Sequence, residues 1–163
     1  MIGCYRDAKA GKAQTGGVSY LNRLSSLLHT KCNASKSADV SNLDIIGEAY
    51  DVVSGNIVKK AGEDFEDGIK RGMREDESYE NCSQSRLYAA KMHSYGYLFH
   101  RFKDAVRKAP PSLVPILTKL CQLYGLYNIV ENSGPFLQYE YFNSLQVSCI
   151  SKKLDGLDSP ASI

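Results

Sequence analysis

The chain has 163 residues, 43% of them hydrophobic and 23% charged, with a net charge of +2. That balance belongs to a folded chain of one-domain size; it excludes a disordered segment and a strong general attraction for nucleic acid. Five widely spaced cysteines, Cys4, Cys32, Cys82, Cys121 and Cys149, make neither a zinc pattern nor a dense disulfide framework, and they read as reduced thiols inside a cell.

The opening stretch MIGCYRDAKAGKAQTGG is too polar for a secretory signal. The matches to a glycosylation sequon at Asn33-Ala34-Ser35 and Asn81-Cys82-Ser83 are therefore taken as chance. Residues 1–40 read as a mostly irregular, linker-like leader. Its basic residues Arg6, Lys9, Lys12, Arg23, Lys31 and Lys36 are scattered among Gly, Ser and Asn, without the interleaved aromatics of a nucleic-acid surface. One short amphipathic stretch, Val18 to Leu24, suits one or two helical turns.

A long helix is predicted from Ser41. Ser41-Asn42-Leu43-Asp44 has the form of a capping box, and Ile46, Tyr50, Val53, Ile57, Ala61, Phe65, Ile69 and Met73 recur every three or four positions. Glu66 with Lys70, and Asp67 with Arg71, stand acid before base at a spacing of four on its solvent side. Gly55, Gly62, Gly68 and Gly72 weaken this helix, so close packing at the earlier glycines and a bend or fraying toward Gly72 are expected. An acidic connector, Arg74 to Glu80, leads to a second helix from Ser83 or Ser85 to about Lys108, with Leu87, Ala90, Ser94, Leu98, Phe102 and Ala105 as its core stripe.

After Pro110-Pro111 comes LVPILTKLCQLYGLYNIVENSGPFL, residues 113–137. Apolar residues occupy almost its whole circumference, which predicts a buried, central helix. Ser112 is its candidate cap, Pro115 sits early enough for its missing N–H to cost little, and Gly134-Pro135 is the expected stop. The entropy of ordering such a helix rivals the gain from burying its side chains, so it needs partners from this chain or another. Lys119, Gln122, Asn128 and Glu131 interrupt it, so no membrane span is expected. Phe136 to Phe142 form an aromatic segment, and Val147 to Ile163 show no periodicity. The fold class is all-α, an antiparallel helical bundle with irregular N- and C-terminal segments. Its boundaries are 1–40 for the leader, 41–145 for a helical domain and 146–163 for a divergent tail.

Chemical motifs are few. His93 and His100 share a predicted helix face, but no carboxylate joins them at ligand spacing, so they read as packing or surface residues rather than metal ligands. Cys121 lies in the buried helix with no nominated histidine partner and reads as an inert thiol. Gly16-Gly17 and the glycines near Gly62 lack a phosphate-loop context. Tyr95, Tyr97, Tyr124, Tyr127, Tyr139 and Tyr141 could line an acyl or aromatic pocket, and their helical spacing favours core packing.

The succession Asp44-Ile-Ile-Gly-Glu-Ala-Tyr50, Ser85-Arg-Leu-Tyr-Ala-Ala-Lys-Met-His93 and Leu120-Cys-Gln-Leu-Tyr-Gly-Leu-Tyr-Asn-Ile-Val-Glu-Asn-Ser-Gly-Pro-Phe-Leu137 resembles the C-terminal helical domain of peroxisomal acyl-CoA oxidases. Val18-Ser19-Tyr20-Leu21 resembles the stretch joining that family's two helical domains. The resemblance implies FAD-dependent oxidation of a fatty acyl-CoA to the trans-2-enoyl-CoA, with peroxide formed from oxygen, in fatty acid β-oxidation. It also implies that the flavin domain and the proton-abstracting glutamate precede the region matched. No catalytic, cofactor-binding or metal residue is therefore carried onto this sequence, and the chain alone is expected to bind no FAD and to be inactive.

The expected role is structural, in subunit packing, with a homo-oligomer or association with acyl-CoA oxidase subunits as partners. Fatty acyl-CoA would bind only the intact enzyme, and no nucleic acid or membrane span is expected. The alternative is a non-enzymatic helical module that pairs with an intact oxidase subunit. The resemblance implies a peroxisomal location, while the end at Ala161-Ser162-Ile163 lacks the peroxisomal Ser-Lys-Leu signal, leaving a cytoplasmic location open.

Overall fold

A computed structural model of the chain describes residues 1–34 and 39–157. Ser35 of the first sequon, Lys36 and the end at Ala161 to Ile163 lie outside the described residues. The fold class is all-α, as expected, with no strand among the described residues. The helices are α1 (Ile2–Lys9), α2 (Leu24–Leu27), α3 (Leu43–Lys70), α4 (Glu75–Asn81), α5 (Ser83–Lys108), α6 (Val114–Glu131), α7 (Ser133–Gln138) and α8 (Ser144–Leu157). Tight 3-10 turns at Gly16–Arg23 and Asp39–Ser41 complete the set. The chain divides into unit 1, Met1–Thr30 with Asp51–Ser94, and unit 2, Lys31–Tyr50 with Tyr95–Ile163.

Unit 1 corrects the irregular leader. Its Ile2, Tyr5, Tyr20, Leu21 and Leu27 are all buried, and Ile2 clusters with Phe65 of α3 and Cys82. The local composition, rich in Gly and Ser, conceals this because tertiary burial rather than propensity holds such short helices. The leader helix α1 explains a glycine of α3: a Cβ at Gly62 would overlap the Tyr5 ring. Gly55 lies against Leu24 and Leu27, and Gly68 lies against Ser78, so the expected close packing at these glycines is observed. The end of α3 is sharper than a fray, since Gly72 takes a left-handed φ of 86° beyond Lys70.

Pairing on α3 differs from expectation. Glu66 Oε2 accepts from Lys9 Nζ of α1 at 2.6 Å, and Asp67 pairs with Lys70 at 3.0 Å. The acidic connector is itself helical. Glu75, Asp76 and Glu77 place negative charge in the first turn of α4, where the helix dipole favours it, and Glu77 Oε2 accepts from the Arg74 backbone N–H at 3.1 Å. Ser78 Oγ, fully buried, donates to the Phe65 carbonyl at 2.6 Å and ties α4 to α3.

In unit 2 the cap of α3 falls one residue later than expected. Asn42 Oδ1 accepts from Asp44 N–H at 2.7 Å, whereas Ser41 belongs to the preceding 3-10 turn. An aromatic core fills this unit. The ring of Tyr50 lies 5.5 Å from Phe99 and 5.8 Å from Phe136, and Tyr141 meets Phe142 edge-on at 4.8 Å. The Tyr50 hydroxyl donates to the Gly125 carbonyl at 2.8 Å, and the Tyr141 hydroxyl donates to Glu48 Oε2 at 2.9 Å. Burial holds both phenol pKa values above their ordinary range, and for Tyr141 the Glu48 carboxylate adds to the rise.

Three further expectations fail in unit 2. The stop of α6 is at Asn132, and Gly134 and Pro135 lie inside α7. Pro sits where the first turn of a helix needs no N–H, so here it opens a helix rather than closing one. The tail is helical: α8 runs to Leu157, packed on α6. Its start is a reciprocal cap, since Asn143 Oδ1 accepts from Gln146 N–H and Gln146 Oε1 accepts from Asn143 N–H, both at 2.9 Å. Finally, α6 is buried along one face only, at Cys121, Gly125, Leu126 and Ile129. Its expected early proline holds, with Pro115 in the first turn and Leu113 as the cap residue instead of Ser112.

The stripe of α5 is displaced. In unit 1 its buried positions are Ala89 and Met92, and in unit 2 they are Phe99, Lys103 and Val106. Of the expected stripe, Leu87 is 68% exposed, Leu98 is 52% exposed, and Ala90, Ser94 and Ala105 are exposed as well. The helix carries two apolar stripes. Both stripes mix large and small residues, and the inner one also carries the buried cation Lys103.

Candidate functional site: an apolar groove on α6

Potential chemical groups do not converge. His93 in unit 1 is half-buried, with Nδ1 3.3 Å from the Tyr20 hydroxyl, and burial lowers its pKa from 6.5. His100 in unit 2 lies against Gly47. Among the described residues no group of three or more His, Cys, Asp or Glu is placed to hold a metal. Cys121 is fully buried, and desolvation pushes its thiol up to about 11, the opposite of an activated nucleophile.

The His93 shift has a testable sign. A histidine whose folded pKa is depressed takes up its proton more readily when unfolded, so stability is full above pH 6.5 and declines as pH falls from there toward the folded value. The unfolding midpoint is expected to drop between pH 7 and pH 5 more steeply in the wild type than in His93→Phe. Parallel pH curves for the two proteins would remove His93 from the account.

Lys103 is a buried cation. Its Nζ donates to Asp44 Oδ1 at 3.1 Å, and Arg107 donates to the same oxygen at 2.8 Å. These two cations hold the Asp44 carboxyl below its ordinary value. The cluster is a structural link between α3 and α5 within unit 2, with its cations already engaged.

A flavin needs backbone N–H groups open to its pyrophosphate, which glycines usually provide. The glycines of the long helices are instead covered by side chains: Gly62 by Tyr5, Gly68 by Ser78, and Gly125 by Phe99 and Ile46. Those three glycines offer a pyrophosphate no open backbone.

An apolar concavity in unit 2 has a volume of about 580 Å³. Phe102 of α5, Leu120, Leu123, Tyr124 and Tyr127 of α6, and Leu154 of α8 line it. Asn128 and Asp155 supply its polar edge, and Asp155 is the only charged residue in the lining. Leu120 is 41% exposed and Tyr127 is 52% exposed, so a large part of this apolar wall faces solvent. Of the tyrosines singled out in the sequence, Tyr124 and Tyr127 line the groove and Tyr141 is in the core. Leu154 could not be nominated without α8, yet the spacing Val147, Ile150, Leu154 carries a helical period. No described helix is long and apolar enough to cross a membrane.

Residues 42–158 match the family model for acyl-CoA oxidase. Acyl-coenzyme A oxidase 2 of Yarrowia lipolytica is 29% identical over 88% of this chain and 20% of its own length. Peroxisomal acyl-coenzyme A oxidase 2 of Rattus norvegicus is 30% identical over 72% of this chain and 18% of its own. The crystal structure of an acyl-CoA oxidase from Lycopersicon esculentum superposes with a TM-score of 0.88 at 20% identity, covering 96% of this chain and 24% of that one. The chain thus spans about a fifth of the length of the curated relatives it matches. Matched over most of its length, with an all-helical fold shared with the solved oxidase, the chain belongs to the acyl-CoA oxidase family.

Proposed function

We propose that this chain acts as the C-terminal helical part of an acyl-CoA oxidase, with a packing role rather than a catalytic one. The observation that carries the reading is the family match at residues 42–158 in a chain of about a fifth of its relatives' length. In that reading the complete protein oxidises a fatty acyl-CoA to the trans-2-enoyl-CoA on FAD and forms peroxide, in peroxisomes. Residues 41–145 are the domain proper, α8 and the family match carry it on to residue 158, and 1–40 is the joining segment. This chain supports the fold and subunit packing of the enzyme. Its alternative role, as a non-enzymatic module paired with an intact oxidase subunit, is favoured by the exposed Leu87 and Leu98 on α5.

Complementation tests the reading. Acyl-coenzyme A oxidase 2 of Yarrowia lipolytica with its matched stretch deleted would be co-expressed with this chain, and soluble complex and peroxide production from a fatty acyl-CoA would be measured. The chain is expected to restore a flavin-loaded complex and to make no peroxide alone with added FAD. Peroxide from the chain alone, or no complex on co-expression, would overturn the proposal.

A further inference from the structure

We infer that the groove on α5, α6 and α8 receives an amphipathic helix bearing a basic residue, supplied by the part of an acyl-CoA oxidase outside the fifth that this chain covers. The inference rests on the proposed function and names the surface and the partner through which it operates. Leu120 and Tyr127 stand seven residues apart on one face of α6, a span of about 10 Å, with Leu123 and Tyr124 between them and Phe102 and Leu154 on the flanks. That is the layout of a helix-in-groove site, where an apolar face enters as i, i+3, i+4 and i+7 anchors.

Charge narrows the occupant further. Asp155 is the only charged group lining the groove and has no ion pair among the described residues. A helix placing Lys or Arg at that end gains a complementary contact, while an acidic one is repelled. An acyl chain would leave the Asp155 carboxylate unmatched at the edge. The first of the relatives named above holds four times more chain outside the match than within it, which leaves ample length for such a segment.

Overlapping peptides of about twenty residues, drawn from the unmatched regions of Yarrowia lipolytica acyl-coenzyme A oxidase 2, test the inference by fluorescence anisotropy against the full chain. At least one basic amphipathic peptide is expected to bind. Leu120→Lys combined with Tyr127→Lys should weaken it about 30-fold or more, and Asp155→Lys about fivefold. Both lysines replace exposed residues, so melting by circular dichroism should match the wild type, and Leu145→Lys on exposed α8 surface should leave binding unchanged.

The inference is overturned if no peptide binds or if the groove variants bind equally well. It is also overturned if the chain forms a dimer that Leu120→Lys with Tyr127→Lys dissociates, since a second copy is then the occupant. Complementation separates the two levels: rescue that survives the groove variants removes the groove alone, whereas no rescue by the wild type removes the packing role.

Discussion

Replacing Phe136 with alanine is expected to cost unit 2 about 3–5 kcal/mol, the usual range for deleting a fully buried aromatic side chain. Phe136 is completely buried, 5.8 Å from Tyr50 in an edge-on contact and 6.2 Å from Phe142. It also anchors a helix of only six residues, too short to persist without tertiary support. The loss should therefore include local melting of α7, beyond the cavity itself. Phe136→Leu retains most of the apolar volume and should cost about 1.5 kcal/mol or less. Urea unfolding of the three proteins, with amide exchange at residues 133–138, measures both effects. Equal midpoints for the alanine variant and wild type would show that α7 does not depend on this ring.

The second large effect is expected at Gly125. A Cβ there would lie 2.6 Å from Phe99 Cε2 and 2.7 Å from Ile46 Cγ2, and both of those side chains are fully buried. Two tendencies compete when valine is introduced. Removing glycine from a helix interior gains roughly 0.5 kcal/mol, whereas overpacking a dense core costs typically about 1–3 kcal/mol and sometimes more. The packing cost prevails, because the Tyr50 hydroxyl bond to the Gly125 carbonyl fixes α6 in place and leaves no easy retreat. Gly125→Val is expected to destabilise by about 2–3 kcal/mol, with partial recovery in Gly125→Val/Phe99→Leu. A thermal melt in which the smaller residue at position 99 restores nothing would rule out the steric cause.

Parts of this fold are written in the sequence. Every predicted stripe residue of α3 from Ile46 to Phe65 is buried, with Ala49, Val52 and Val58 widening that face, and Ser83 and Lys108 bound α5 where they were expected. What failed did so for identifiable reasons. On α5, Gly96 and Lys103 lower the hydrophobic count of the buried face, while Leu87 and Leu98 raise that of the exposed one. On α6, an apolar circumference has no direction, so the sequence could not say which half stays in solvent. At the tail, Asn143 and Gln146 stand at capping-box spacing, but Gly134-Pro135 suits a helix end as well as a helix start, and α8 gains its order from packing on α6. The groove combined all three ambiguities, with one wall each from α5, α6 and α8.

The distribution of thiols has a practical consequence. Cys82 is sealed in unit 1 and Cys121 in unit 2, while Cys4, Cys32 and Cys149 are half-exposed. Each unit therefore contains one sulfhydryl that a water-soluble alkylating reagent reaches only when that unit opens. With the three accessible cysteines changed to serine, the rate of labelling at position 82 or 121, read by mass spectrometry under native conditions, reports the opening free energy of each unit separately. The native chain carries its own pair of unfolding reporters, and they will tell whether its two units open together or one at a time.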